Sequence, residues 1–243
     1  PMVDLVRDPR WGRVMESTGE DPLLNSRLAA AMVRGYQGEN LKEDNWRVAA
    51  CVKHFAAYGG ALAGRDYNTV DMSERQLREM YLPGYKAGLD AGAKLVMTSF
   101  NTVDGIPATG NQWLFRDVLR NEFGFEGVVI SDWGAIKELI PHGVAKDEKQ
   151  AAELAIKAGV DIEMMTTCYP DYLKELLEEG RIAETLIDEA VMRILKLKNE
   201  LGLFENPYRG ADEQAEAEVI LSKEHREIAK KIAQKSMVLL KNE

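Results

Sequence analysis

The feature that most constrains this chain is a short apolar run that recurs, each time ending in polar or aromatic residues. Val48 to Val52 in RVAACVKHF leads into Lys53 and His54, and AKLVMTSFN leads into Ser99, Phe100 and Asn101. GVVISDW ends in Asp132 and Trp133, and AGVDIEMMT is a weaker fourth case. The step from Lys53 to Thr98 is 45 residues, and the steps on to Ser131 and Met164 are 33 each. Steps of that size hold one strand and one crossover helix. Near-continuous apolar strands alternating with helices require a parallel sheet covered on both faces.

The intervening segments carry helix signals. Ser73 followed by Gln76 is a capping box, and Leu77, Met80, Tyr81, Tyr85 and Leu89 follow at helical spacing. Pro83 within that stretch predicts a kink or break. Asp147 with Gln150 repeats the capping signal ahead of Leu154, Ala155 and Ala158. Glu184 to Leu201 places Ile187, Val191, Ile194 and Leu201 on one face and stops at Gly202.

Two architectures fit this alternation, an eight-fold barrel and a doubly wound open sheet. No G-x-G-x-x-G turn follows any strand, which disfavours the dinucleotide-binding version of the open sheet. Polar residues instead follow three strands at the same place, as in a barrel whose strand C-termini converge on one active face. The fold class read from the sequence is therefore α/β, a (β/α)8 TIM-type barrel with four or five strands visible. The chain starts at Pro1 without a charged-then-apolar leader, and SMVLLKNE stops after an apolar run. The expectation is a piece of a longer protein. Residues 1–235 would form the barrel domain, incomplete at its N-terminus, and 236–243 a linker or the start of a second domain.

Charge and composition exclude several classes. At a formal charge of −9 with no Lys/Arg run, the chain lacks the cationic footprint that nucleic acid or an anionic membrane needs. No apolar run approaches membrane-spanning length. Cys51 and Cys168 are read as inert buried thiols. His54, His142 and His225 are scattered, so neither a metal nor any other cofactor is expected.

Three places could do chemistry. RDPRWGRVMESTGEDP groups Arg7, Arg10 and Arg13 with Asp8, Glu16, Glu20 and Asp21 around Trp11, either as a salt-bridged surface loop or as a polar clamp for oxygens. Glu20–Asp21–Pro22 doubles as a helix start. Lys53–His54 reads as a Schiff-base lysine with a proton shuttle, or as two donors that grip hydroxyls. An ammonium at the end of a buried strand needs a partner, and Asp132 is the natural candidate. Asp132 itself reads either as a helix cap before GAIKELI or as a reactive carboxylate over a cleft. The indole of Trp133 beside it suits the apolar face of a sugar ring.

RDPRWGRVMESTGEDP, KHF, GRDYNTVDMSERQLREMYLPGYKAG, MTSFNTVDGIPATGN and GFEGVVISDWGA together resemble family three glycoside hydrolases, over roughly residues 1 to 165. Within that family they are similar to the bacterial periplasmic-type β-glucosidases. The resemblance implies a barrel domain followed by an α/β sandwich domain, and hydrolysis of terminal β-D-glucosyl residues with retention. It casts Asp132 as the nucleophile that forms a glycosyl-enzyme, with Lys53 and His54 as a hydroxyl-binding pair. It casts Arg13 and Arg65 as sugar-binding arginines and Trp133 as the stacking wall for the leaving-group sugar. Phe100 sits where many members have a tyrosine able to donate a hydrogen bond toward the nucleophile, which Phe cannot do. Lys53 and Arg13 would keep Asp132 ionised.

The departures are equally specific. The family's N-acetylglucosaminidases carry a His–Asp pair in the loop after KHF, and here AAYGGALAGRDYN has no histidine. The acid/base glutamate of the β-glucosidase branch belongs to the second domain, which would begin near SMVLLKNE. The early sugar-binding aspartate upstream of RDPRWGR is not matched, and Glu163 is read as part of a polar rim rather than as a substitute acid. The partners implied are a β-linked oligosaccharide or an aryl glycoside, with a periplasmic or secreted location; oligomeric state is not legible. Alternatives are a β-xylosidase of the same family, a sugar-binding fragment without turnover, and a Schiff-base lyase acting through Lys53.

Overall fold

The computed structural model describes residues 1–242; residue 243, the last of the segment expected to open a second domain, lies outside the described residues. One compact unit spans Pro1–Glu205, and a second begins at Asn206.

The first unit is built on parallel strands. β1 (Cys51–Phe55), β2 (Leu95–Thr98) and β5 (Val128–Ile130) form a sheet in the order β1-β2-β5, with Val96 opposite both Val52 and Val129. Isolated parallel bridges Met2↔Lys53 and Ile130↔Ile162 extend it on either side. The weak fourth run of the sequence is thus a single bridge. Between β2 and β5, β3 (Thr102–Val103) and β4 (Ile106–Pro107) make an antiparallel hairpin. It turns through Asp104 and Gly105, both at positive φ, the conformation that two-residue hairpin loops need. Gly127 immediately precedes β5, and any Cβ there would meet the carbonyl oxygen of Lys94 at 2.3 Å, so only glycine lets the strand enter beside β2.

Helices cover this sheet. α1 (Pro22–Gln37) is capped by Asp21, whose side chain accepts from Leu24 N, and it buries Asn25, Ala29, Val33 and Gln37 at four-residue spacing. α2 (Glu74–Gln76) starts at the Ser73 cap, and a π-helical stretch Leu77–Tyr81 leads into α3 (Leu82–Asp90). Pro83 falls in the first turn of α3, where its missing N–H does least harm, so the expected break takes the form of a π-helical turn just before it. A second π-helical stretch, Trp113–Glu122, buries Leu114, Phe115, Val118 and Leu119. α4 (Glu148–Ala158) is capped by Asp147, but Gln150 returns its bond to Lys146 N, one residue earlier than a capping box requires. α5 (Cys168–Glu178) and α6 (Glu184–Glu200) follow. On α6 the inward face is centred on Ala190, and Val191, assigned inward from the sequence, is 47% exposed. The second unit holds α7 (Glu213–Val219) and α8 (Lys223–Ser236).

At the N-terminal ends of the strands a buried ion-pair network ties α6 to the sheet. Asp161 accepts from Arg120 at 2.9 Å, Arg193 at 2.9 Å and Val129 N at 2.8 Å. A cleft of about 380 Å³ opens at this end, lined by Lys94, Gly127, Arg193 and Glu200 among others, and it contains none of the residues singled out for chemistry. Those lie at the opposite ends of the strands.

Candidate active site

Asp132 lies two residues past the end of β5 as a buried carboxylate, 9% exposed. Its backbone N–H donates to Thr98 Oγ1 at 3.2 Å, which ties it to the end of β2, and Oδ1 accepts from Trp133 N at 2.6 Å. An N-cap carboxylate accepts from an amide two or three residues on. Asp132 instead takes the amide of its immediate neighbour, so the bond that would define a helix cap is not there. Its other oxygen, Oδ2, is buried without a hydrogen-bond partner. The one basic group within 4.0 Å of it among the described residues is His54, whose Nε2 stands 3.4 Å from Oδ2, close enough for attraction but short of a formed hydrogen bond.

His54 comes from β1 and is 1% exposed. Its Nδ1 lies 2.7 Å from Asp4 Oδ2, and the same oxygen accepts from His54 N at 3.2 Å. Asp4 Oδ1 accepts from the Tyr85 hydroxyl at 2.7 Å, and that hydroxyl also contacts the His54 carbonyl. Asp4 is fully buried between Val3 and Leu5, a position a carboxylate tolerates only with several donors, and here it has three. Register places it: Val3 N donates to Lys53 O at 2.7 Å and Lys53 N to Pro1 O at 3.1 Å, which sets Asp4 beside His54.

Lys53 does not pair with Asp132. It is half-buried and forms no ion pair within 4.0 Å among the described residues; its field falls instead on Glu16, whose carboxyl is held down first by its bonds to Arg13. Arg13 does not flank Asp132 either. Its fork is closed on Glu16 at 2.7 and 2.9 Å, one helical turn away, and its guanidinium lies 5.5 Å from the centre of the Tyr58 ring. Neither of these two cations stands at Asp132; the side chain at that place is His54.

Phe100 is buried in an aromatic wall, 4.4 Å from Tyr67 and 5.8 Å from Tyr58 between ring centres. Tyr58 in turn meets His54 at 5.3 Å and Trp11 at 5.1 Å. Trp133 is 63% exposed and offers an uncovered indole beside Asp132. Arg65 is exposed on the loop after Gly64, and no hydrogen bond, ion pair or ring contact among the described residues joins it to the others.

Glu163 is not part of a polar rim. Its carboxylate accepts from Cys168 N at 3.0 Å and Tyr169 N at 2.7 Å, with the Thr166 hydroxyl as a third donor, and so caps α5. A different carboxylate stands near Asp132. Glu138 is half-buried, its Oε2 has no partner, and burial followed by the charge of Asp132 pushes its carboxyl up. Sequence reasoning missed Asp4 and Glu138. An acid inside the apolar run MVDLV was the available signal for the first; nothing local marks the second.

Six buried side-chain polar atoms lack a hydrogen-bond partner among the described residues, and five of them follow the C-terminal ends of β1, β2 and β5. They belong to Tyr58, Asn101, Thr102, Asp132 and Glu138. Buried polar atoms are ordinarily satisfied, so their concentration at one end marks a surface suited to a ligand rich in hydroxyl groups.

This chain is similar to known glycoside hydrolases. The family model described as Glycosyl hydrolase family 3 N terminal domain matches residues 1–197. A periplasmic beta-glucosidase of Salmonella typhimurium is 46% identical over all of this chain, which covers 32% of that protein. A beta-xylosidase of Formosa agariphila is 38% identical over 97% of the chain and 34% of the relative. Among solved structures, a mutant beta-glucosidase from Listeria innocua in complex with laminaribiose is 61% identical. It superposes with a TM-score of 0.97 over all of this chain and 34% of its own. The chain thus spans about a third of the length of these relatives.

Proposed function

The chain belongs to glycosyl hydrolase family 3, and on that premise we propose that it is the barrel-domain part of a retaining β-glucosidase whose nucleophile is Asp132. The observation that carries the proposal is the Asp132 carboxylate itself. One oxygen is fixed by the backbone, and the other is buried, unpaired and 3.4 Å from His54. In this reading Oδ2 attacks the anomeric carbon, the leaving-group oxygen departs with a proton from an acid, and water later releases the sugar from the enzyme. The acid/base glutamate lies outside this chain, on the second domain that relatives of this length imply. Loss of general-acid catalysis alone costs on the order of 10² to 10⁴ in rate, so the chain by itself acts weakly and on activated substrates.

His54 and Lys53 grip sugar hydroxyls, Arg13 and Arg65 bind the sugar from the loops, Phe100 backs the reactive sugar, and Trp133 stacks on the leaving group. Arg13 reaches a hydroxyl only by opening or sharing its pair with Glu16. Support for an eight-fold barrel comes from strand order, because successive segments pair as neighbours from Met2 through β1, β2 and β5 to Ile162 without a switch in direction. The barrel reading covers residues 1–235, with a linker or second domain opening at 236. Likeness to a periplasmic beta-glucosidase supports a periplasmic or secreted location and a β-linked glucosyl oligosaccharide as substrate. Among the described residues no helix is long and apolar enough to cross a membrane.

A second reading, β-xylosidase activity, is favoured by the Formosa relative. Turnover of dinitrophenyl β-glucoside and β-xyloside, with the first-formed sugar anomer followed by proton NMR, separates the possibilities. The proposal expects faster release from the glucoside and β-glucose as the first product. α-Glucose appearing first would overturn retention, and faster release from the xyloside would favour the second reading.

A further inference from the structure

Of all the groups around the site, the most completely determined is one that does not touch the sugar-facing surface. Asp4 is 0% exposed, receives the Tyr85 hydroxyl on Oδ1, and on Oδ2 meets both the backbone N–H and the ring Nδ1 of His54. Three of its contacts come from residues fixed in β1 and α3, so neither carboxylate oxygen is free to rotate away. His54 is therefore held at one edge by a carboxylate and presents only its other edge, Nε2, to Asp132.

We infer that Asp4 is a positioning residue for the reaction, acting through His54. It holds the imidazole proton on Nδ1, fixes the plane of the ring, and leaves Nε2 as the one ring nitrogen facing Asp132 and the sugar. A buried imidazole has two neutral tautomers, and the partner of one nitrogen decides which is populated. A carboxylate accepts and cannot donate, so Asp4 selects the Nδ1–H form. Tyr85 works one step behind, donating to the other oxygen of Asp4 and keeping it an acceptor toward the ring. The catalytic half of this inference rests on the proposed glycosidase activity; the tautomer half does not.

The test uses the chain with ¹⁵N-labelled histidine, of which there are three, and Asp4→Leu. Nitrogen NMR of the unmodified chain is expected to show the His54 proton on Nδ1 and in slow exchange with solvent. Leu keeps the size but accepts nothing, so the proton loses its partner at Nδ1 and is expected to move to Nε2, where Asp132 Oδ2 stands 3.4 Å away. The rate of Asp132 labelling by 2-deoxy-2-fluoro-glucosyl fluoride is then expected to fall at least tenfold. Tyr85→Phe keeps the bond between Asp4 and His54, and it should retain the tautomer and stay within about threefold in rate. A bare Nδ1 in the unmodified chain overturns the inference whether or not any variant folds. So does an Asp4→Leu chain that melts earlier but keeps the tautomer, because that makes Asp4 merely structural. If the unmodified chain shows Nδ1–H but takes no label, the glycosidase reading fails while the hold of Asp4 on His54 stands.

Discussion

Nε2 of His54 and Oδ2 of Asp132 lie 3.4 Å apart although their strands are not neighbours, β1 and β5 flanking β2 on either side. The two side chains meet across the end of β2, where Thr98 Oγ1 receives the backbone N–H of Asp132. A site assembled from the ends of three parallel strands is rigid where it must be, since each strand is locked by its ladder to the next.

Replacing Asp132 should abolish the chemistry without harming the fold. Its Oδ2 is buried and unpaired, and the half-buried Glu138 feels its charge. Asp132→Ala removes an unsatisfied oxygen and a like-charge neighbour, a relief of about 1 kcal/mol that offsets the lost bond from Trp133 N. The expected result is a chain that melts no lower than the original and takes no covalent label, checked by calorimetry and mass spectrometry on the same sample. A marked fall in melting temperature would make Asp132 a structural residue.

The opposite end of the strands should behave the other way. Asp161→Ala leaves Arg120 and Arg193 without their shared buried counter-charge. Removing one partner of a buried ionic network costs about 3–5 kcal/mol. Urea unfolding should record a loss of that size. Asp132 labelling, measured where the variant is still folded, should be unchanged.

Both thiols should be silent in the folded chain. Burial pushes Cys51 and Cys168 up to about 12 from an ordinary 9.0. At pH 8 only about one thiol in 10⁴ is ionised at such a value, so iodoacetamide should modify neither until the chain is unfolded, when both react. Because the folded values lie above the unfolded ones, the stabilisation from keeping these thiols protonated is complete below pH 9. It is lost as pH rises toward 12. Stability measured by urea unfolding should therefore decline across that window, and less steeply once both cysteines are replaced by alanine.

How much of this was legible depended on distance along the chain. The strand ends were readable because apolar runs stop at Lys53, Ser99 and Asp132 within a few residues, and Asp21 and Ser73 cap helices that begin beside them. Which of two adjacent side chains turns to Asp132 was not readable. Packing chose His54 over Lys53, and nothing in KHF encodes it. Asp4 and His54 are 50 positions apart and Asp4 and Tyr85 are 81 apart, so their contacts exist only once the sheet register is set. Arg13 and Glu16 form a local pair, which is the salt-bridged loop that spacing alone allowed as one of two readings. Glu163 looked like a rim residue because the start of α5 carries no capping residue in the usual place; Thr167 precedes it but donates its hydroxyl to Asp171 instead of capping, and Glu163 accepts the first amides from farther back.

The most direct test of the central claim is exposure of the folded chain to 2-deoxy-2-fluoro-glucosyl fluoride, followed by peptide mapping of any adduct. This reagent supplies its own leaving group and asks for a nucleophile more than for an acid. The account predicts one fluoroglucosyl unit per chain, on the peptide containing Asp132 and on Asp132 itself, and none on Asp132→Ala. A stable adduct on Glu138, Glu163 or any other carboxylate, with Asp132 unmodified, would contradict it.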